Sequence, residues 1–207
     1  NVVKLPNGLN FKQQTVICKQ MCALYNAKAI VIDINGLGKG LLDYMLDRNI
    51  LDDGTELEPY DMLNTDYRSD YRDAKKLVYG IEAQKNNSEM ITNFINVVEG
   101  SILRILEHFD VNKALDIPDE DFMVSDVLPF LRTENFISEV QNITVETIPG
   151  TGKLKIGQVV KADKDIYSAT IQVCWYVMTF CNDALPDEDE DFASFFSTFI
   201  SQPKIKR

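Results

Sequence analysis

Histidine is nearly missing from this chain of 207 residues: His108 is the only one. It lies in "ILRILEHFDV", near the expected end of a helix. There an imidazole complements the helix dipole, and a catalytic role is not its first reading. No apolar run approaches the roughly 20 residues of a membrane span, and no signal peptide opens the chain. Of the four cysteines, Cys18 and Cys22 are one helical turn apart and Cys174 and Cys181 two turns apart. Neither pair has the CxxC spacing of a zinc knuckle, so a zinc site would need all four to converge. Reduced, buried thiols are expected. Basic residues are also scarce: 21 Lys and Arg stand against 32 Asp and Glu, a net charge of −11. So acidic a chain repels a phosphate backbone at long range. Either the charge only confers solubility, or some carboxylates cluster around metal ions that reverse the local field. A DNA-handling role would then need metals or a basic partner domain.

The remaining composition is that of an ordinary soluble globular protein, with 45% hydrophobic and 26% charged residues. The length suits one domain with an appendage. Residues 1–185 are expected to form the domain. Residues 186–207 read as an acidic linker ("LPDEDEDF") followed by a tail ending in "PKIKR". The opening "NVVKLPNG" is apolar and strand-like from Asn1, which suggests an excerpt of a longer polypeptide.

Periodicity organises the rest. "NFKQQTVICKQMCALYNA" has helical spacing with Asn10 as its cap. "KAIVIDI" is a β-branched run typical of a buried parallel strand. "GLLDYMLDRNI" reads as helix, and "KLVYGIEAQ" as another strand. Alternating strands and helices imply a parallel sheet with helices packed on it. Residues 52–74 are polar, turn-rich and full of Asp and Tyr, with room for a short strand. "NSEMITNFINVVEGSILRILEHF" is a long amphipathic helix, broken near Gly100. One or two further helices precede a hairpin, "ITVETIPGTGKLKIGQVV". "KDIYSATIQVCWYVMTFCND" is an apolar closing helix.

Two apparent nucleotide motifs fail on spacing. "PGTGKL" lacks the first glycine of a P-loop, where Thr147 stands, and the Ser or Thr after the lysine, where Leu154 stands. "GLGKG" breaks the GxGxxG pattern at Leu41 or at Asp43, according to where it starts. What remains is Asp33, at the carboxyl end of a strand, where α/β proteins keep their sites. Gly36, Gly38 and Gly40 follow it and let backbone pass close to a ligand or a neighbouring strand. Capping the helix after the glycines is its structural alternative. The second candidate is Asp165 in "KADKDIYSA", with Asp163 two residues before it; capping is again the alternative. Two such carboxylates about 4 Å apart would repel by roughly 4 kcal/mol at an effective dielectric of about 20. A divalent cation relieves that repulsion. Oxygen-only ligands select Mg²⁺ or Mn²⁺, and a pair of such ions is the standard apparatus of phosphodiester hydrolysis.

Four stretches, in order, resemble the nuclease domain of bacteriophage large terminase subunits. "AIVIDINGLGKGLLDYM" is similar to the segment after that domain's central strand. "KLVYGIEAQKNNSEMITNFINVVEGSILRI" is similar to its strand-plus-helix stretch, and "FLRTENFISEVQNITVETIPGTGKLKI" to its helix-then-hairpin stretch. "KADKDIYSATIQVCWYVM" resembles its "KD-aromatic-S" helix entrance. The resemblance covers roughly residues 1–180. It implies an α/β, RNase H-like mixed sheet flanked by helices, with an added β-hairpin. It also implies an endonuclease that cuts concatemeric viral DNA on two Mg²⁺ or Mn²⁺ ions. Asp33 and Asp165 match the family's acidic residues, and Asp163 is an auxiliary ligand. Lys161 and Lys164 flank the late aspartate and, with Lys153 in the hairpin turn, are candidate contacts to double-stranded DNA. The implied partners are a terminase ATPase domain, a small terminase subunit and a portal protein, in the cytoplasm of a host cell.

The sequence departs from the family in places. Some relatives carry a histidine three positions before the late aspartate, where Ala162 stands. The family's first catalytic aspartate lies on a strand upstream of "NVVKLPNG", so that strand is expected outside this chain. The P-loop motor domain is absent from it. Two other readings stay open: another RNase H-like nuclease, such as a junction resolvase, and a catalytically incomplete assembly module.

Overall fold

Asn10 starts the first helix as the sequence suggests. Its side chain accepts from Gln13 N at 2.9 Å, and Gln13 Oε1 accepts from Asn10 N at 3.0 Å. This reciprocal box satisfies two amides that a helix start would otherwise orphan. It opens α1, Phe11–Leu24. The computed structural model describes residues 2–106 and 124–181. His108, read from sequence as near a helix end, and the tail 186–207 lie outside the described residues.

After α1 come β1 (Ile30–Asp33), α2 (Leu37–Leu46), β2 (Asn49–Ile50), β3 (Glu56–Leu57), β4 (Tyr60–Met62) and β5 (Lys75–Ile81). Then follow α3 (Ala83–Glu99), α4 (Val124–Gln141), β6 (Ile143–Thr147), β7 (Leu154–Gln158) and α5 (Asp165–Phe180). The chain is therefore a mixed α/β protein with small sheets. One sheet has the order β1-β5-β4 and both of its pairings are parallel. The expected single mixed sheet is thus, among the described residues, a wholly parallel one plus two separate antiparallel pairs, β2-β3 and β6-β7. The β6-β7 pair is the expected hairpin, in register from Ile143↔Gln158 to Thr147↔Leu154.

Residues 2–6 form no strand, contrary to the expectation for "NVVKLPNG". Pro6 has no amide to give to a ladder, and Lys4 is used in a side-chain ion pair with Asp163. Apolar β-branched residues make a strand only where a partner edge receives them.

The described residues divide into two compact units. The first holds residues 5–86 and 176–181. Its core gathers Ile32, Leu42, Met45, Leu46, Tyr60, Met62, Leu77 and Val78. Every residue of β5 from Leu77 to Ile81 is buried, as a central strand covered on both faces must be. Tyr79 of β5 stacks on Tyr176 and Phe180 of the last turn of α5, with ring centroids 4.9 and 4.8 Å away.

The second unit holds residues 2–4, 87–106 and 124–175. Met90, Ile91, Phe94 and Val97 form the buried stripe of α3. Phe94 meets Phe136 of α4 and Tyr167 of α5 edge-on, at 6.4 and 5.5 Å, the geometry that aromatic quadrupoles favour. Ser88 Oγ accepts from Leu154 N at 3.0 Å and ties the hairpin to α3. Asn142 closes the hairpin base through its side chain, giving to Val160 O at 2.6 Å and accepting from Val160 N at 2.8 Å.

Candidate functional site

β1 ends at Asp33, opposite Ile81, the last residue of β5. The ladder runs one residue further, with Ile34 N donating to Ile81 O at 2.9 Å. Asp33 is therefore held on rigid backbone where two parallel strands stop together. Its Oδ1 accepts from Asn35 N at 3.1 Å, from Asn35 Nδ2 at 3.0 Å and from Ala83 N at 3.4 Å. Ala83 is the first residue of α3. The carboxylate thus caps α3, fifty positions away in sequence, and not the helix after the glycines. That helix, α2, has Gly36 as its N-cap and no side-chain cap. Among the described residues no donor reaches Asp33 Oδ2.

Two of the three glycines make a close approach, Gly38 to the Asp33 backbone and Gly40 to the Phe11 side chain of α1, while Gly36 faces open space. A methyl group on Gly38 would lie inside the envelope of the Asp33 carbonyl oxygen. One on Gly40 would come within 2.7 Å of the Phe11 ring. Gly36 sits at φ 57°, a left-handed conformation that glycine adopts without strain.

Asp165 is the first residue of α5 and is exposed. Glu139 on α4 caps this helix: its Oε2 accepts from Tyr167 N at 2.8 Å. Asp163 Oδ2 lies 3.0 Å from Lys4 Nζ in a well-exposed pair of small energetic weight. Asp163 holds the Lys4 ammonium above its ordinary pKa, and Asp165 and Glu139 add to the effect. Lys161 and Lys164 are exposed on either side of Asp163. Lys153 is exposed in the hairpin turn, where Gly150 and Gly152 take φ 79° and 66°. Asp33 belongs to the first unit; Asp163, Asp165 and the three lysines belong to the second.

A metal-ion reading meets a mixed donor set. Asp33 offers a carboxylate oxygen that no donor among the described residues reaches, which suits a hard cation. Asp163 is engaged by an ammonium. Among the described residues, no group of three or more His, Cys, Asp or Glu side chains gathers as a ligand set. All four cysteines are free and half-buried, and burial pushes the thiols of Cys22 and Cys174 up to about 11.

Another concave feature belongs to the first unit. A hollow of about 320 Å³ is lined by Asp43, Asp47, Asp70, Tyr67, Tyr71 and neighbours. Here "DYRSDYRD" folds against α2. Tyr67 donates to Asp43 Oδ1 at 2.8 Å, and a hydrogen bond to Asp47 pushes the Tyr71 phenol up. Tyrosines four apart thus meet aspartates four apart. The sequence carried this signal in its repeated Asp-Tyr-Arg, which a reading for helices and strands passes over. Asn35 and Glu139 were also missed; an Asp-x-Asn turn after a strand is the trace the former leaves.

A comparison of the chain with protein-family models, with characterised proteins and with solved structures finds no match. The class that the fold defines is therefore the mixed α/β protein just described.

Proposed function

We propose that this chain is the nuclease part of a phage-type large terminase, a metal-dependent DNA endonuclease with an RNase H-like fold. One observation carries the reading: Asp33 ends a parallel strand with one carboxylate oxygen tied down and the other reached by no donor among the described residues. The hairpin and the apolar closing helix, in the chain order of the terminase stretches, support it. Asp33 and Asp165 would hold the Mg²⁺ or Mn²⁺ ions, and bound ions of this kind activate water and stabilise a leaving oxygen. Asp163, paired with Lys4, takes at most an auxiliary part. Lys153, Lys161 and Lys164 present exposed ammonium groups suited to a DNA backbone. No helix among the described residues is long and apolar enough to cross a membrane. The reading places the protein in the cytoplasm of a host cell, with the terminase motor domain, small subunit and portal as partners.

Nicking of plasmid DNA in Mn²⁺ tests this. Asp33→Ala and Asp165→Ala should each lower cleavage at least about a hundredfold, the scale of losing a group that stabilises the transition state. Cleavage that survives both substitutions refutes the assignment. No cleavage by the unmodified chain, with no Mn²⁺ bound by calorimetry, favours an assembly module.

A further inference from the structure

We infer that Asn35 is the positioning residue of this centre, an inference that rests on the reading of Asp33 as a metal ligand. Asn35 turns two of its three N–H groups on the same atom: its backbone amide and its side-chain amide reach Asp33 Oδ1 at 3.1 and 3.0 Å. Ala83 N adds a third bond to that oxygen at 3.4 Å. Turning the carboxylate about its own axis would break all three, so Oδ1 is kept for the protein and Oδ2 for a cation. The residue type matters. An amide this close donates, whereas a second carboxylate would repel Asp33. The backbone beneath cannot yield easily, because Ile34 is laddered to Ile81 and Gly38 abuts the Asp33 carbonyl. Outer partners of this kind orient a ligating carboxylate and commonly change metal affinity by about 10–100-fold when removed.

Asn64 provides the contrast. Its side chain gives to Gly80 O at 2.8 Å, accepts from Gly80 N at 3.1 Å and hydrogen-bonds the Tyr79 side chain, so none of these partners is a candidate metal ligand. The test is Mn²⁺ titration calorimetry on the full chain, with metal-free melting recorded for each variant. Asn35→Ala and Asn35→Ser should weaken Mn²⁺ binding at least about tenfold while the metal-free protein stays folded. Serine favours the same turn but reaches one bond less far, so it decides the matter if the alanine variant fails to fold. Asn64→Ala should lower the melting temperature and leave Mn²⁺ affinity unchanged. Wild-type affinity in both Asn35 variants, with binding lost in Asp33→Ala, would overturn the role of Asn35 and leave Asp33 standing. An unmodified chain that binds no Mn²⁺ would overturn both.

Discussion

Lys19 is 1% exposed, and burial pushes its pKa down to about 8. Its ammonium donates to Asp47 O at 2.6 Å, at the carboxyl end of α2, and lies 5.1 Å from the centre of the Tyr60 ring. A cation there complements the helix dipole and the ring face, which offsets part of its desolvation. The pH consequence has a definite sign. Between about 8 and 10.5 the unfolded chain still carries the lysine proton and the folded chain has released it, so stability rises with pH in that window. Two neighbours act the other way. The Cys22 thiol is raised to about 11 and the Tyr60 phenol to about 12, so the folded state keeps protons that the unfolded state loses above 9 and 10. Urea denaturation should therefore show stability climbing from pH 8 to 9. Lys19→Met, which keeps the bulk and removes the charge, should flatten that climb. An unchanged slope in the variant would remove Lys19 as its source.

Helix propensity and packing oppose each other in α2, and packing decides. Alanine gains up to about 1 kcal/mol over glycine in a helix interior. At Gly38 that gain meets the Asp33 carbonyl, a backbone atom held by the sheet. Overpacking against such a wall costs typically about 1–3 kcal/mol and occasionally more. Gly38→Ala should therefore be net destabilising and should disturb Asp33. Gly40→Ala meets only the Phe11 ring, which can tilt away, and should cost less. Equal midpoints for the two variants in denaturant would show that the β1–α2 junction is looser than described. At this scale much was legible: the Asn10 cap of α1, the strand β5 and the turn of the hairpin are all local patterns, whereas the run read as a buried strand, β1, buries only Ile32 and the full burial falls on β5. Residues 2–6 were misread because a strand is a property of a pair, and propensity names only one member.

For the whole chain, the net charge of −11 works against compactness through self-repulsion. Screening relieves it. The Debye length falls from about 30 Å at 0.01 M salt to about 8 Å at 0.15 M, so thermal unfolding at pH 7 should shift upward over that range. A midpoint that falls would mean that attractive pairs, such as Arg48 with Glu56 and Asp73, outweigh the general repulsion. The same excess of acid makes metal-free DNA binding weak under the nuclease reading.

By itself the sequence determined the elements whose signals lie within one or two turns: Asn10 with Gln13, the apolar stripe of α3, the glycines around the hairpin turn. It also marked Asp33, because an acid after four apolar residues and before glycines is a local anomaly. Only the tertiary structure decided what that acid does with its two oxygens. It brought Ala83 to Asp33, Glu139 to Tyr167, and Lys19 under Tyr60. Those meetings depend on loop closure and core packing, which join residues with no spacing rule between them.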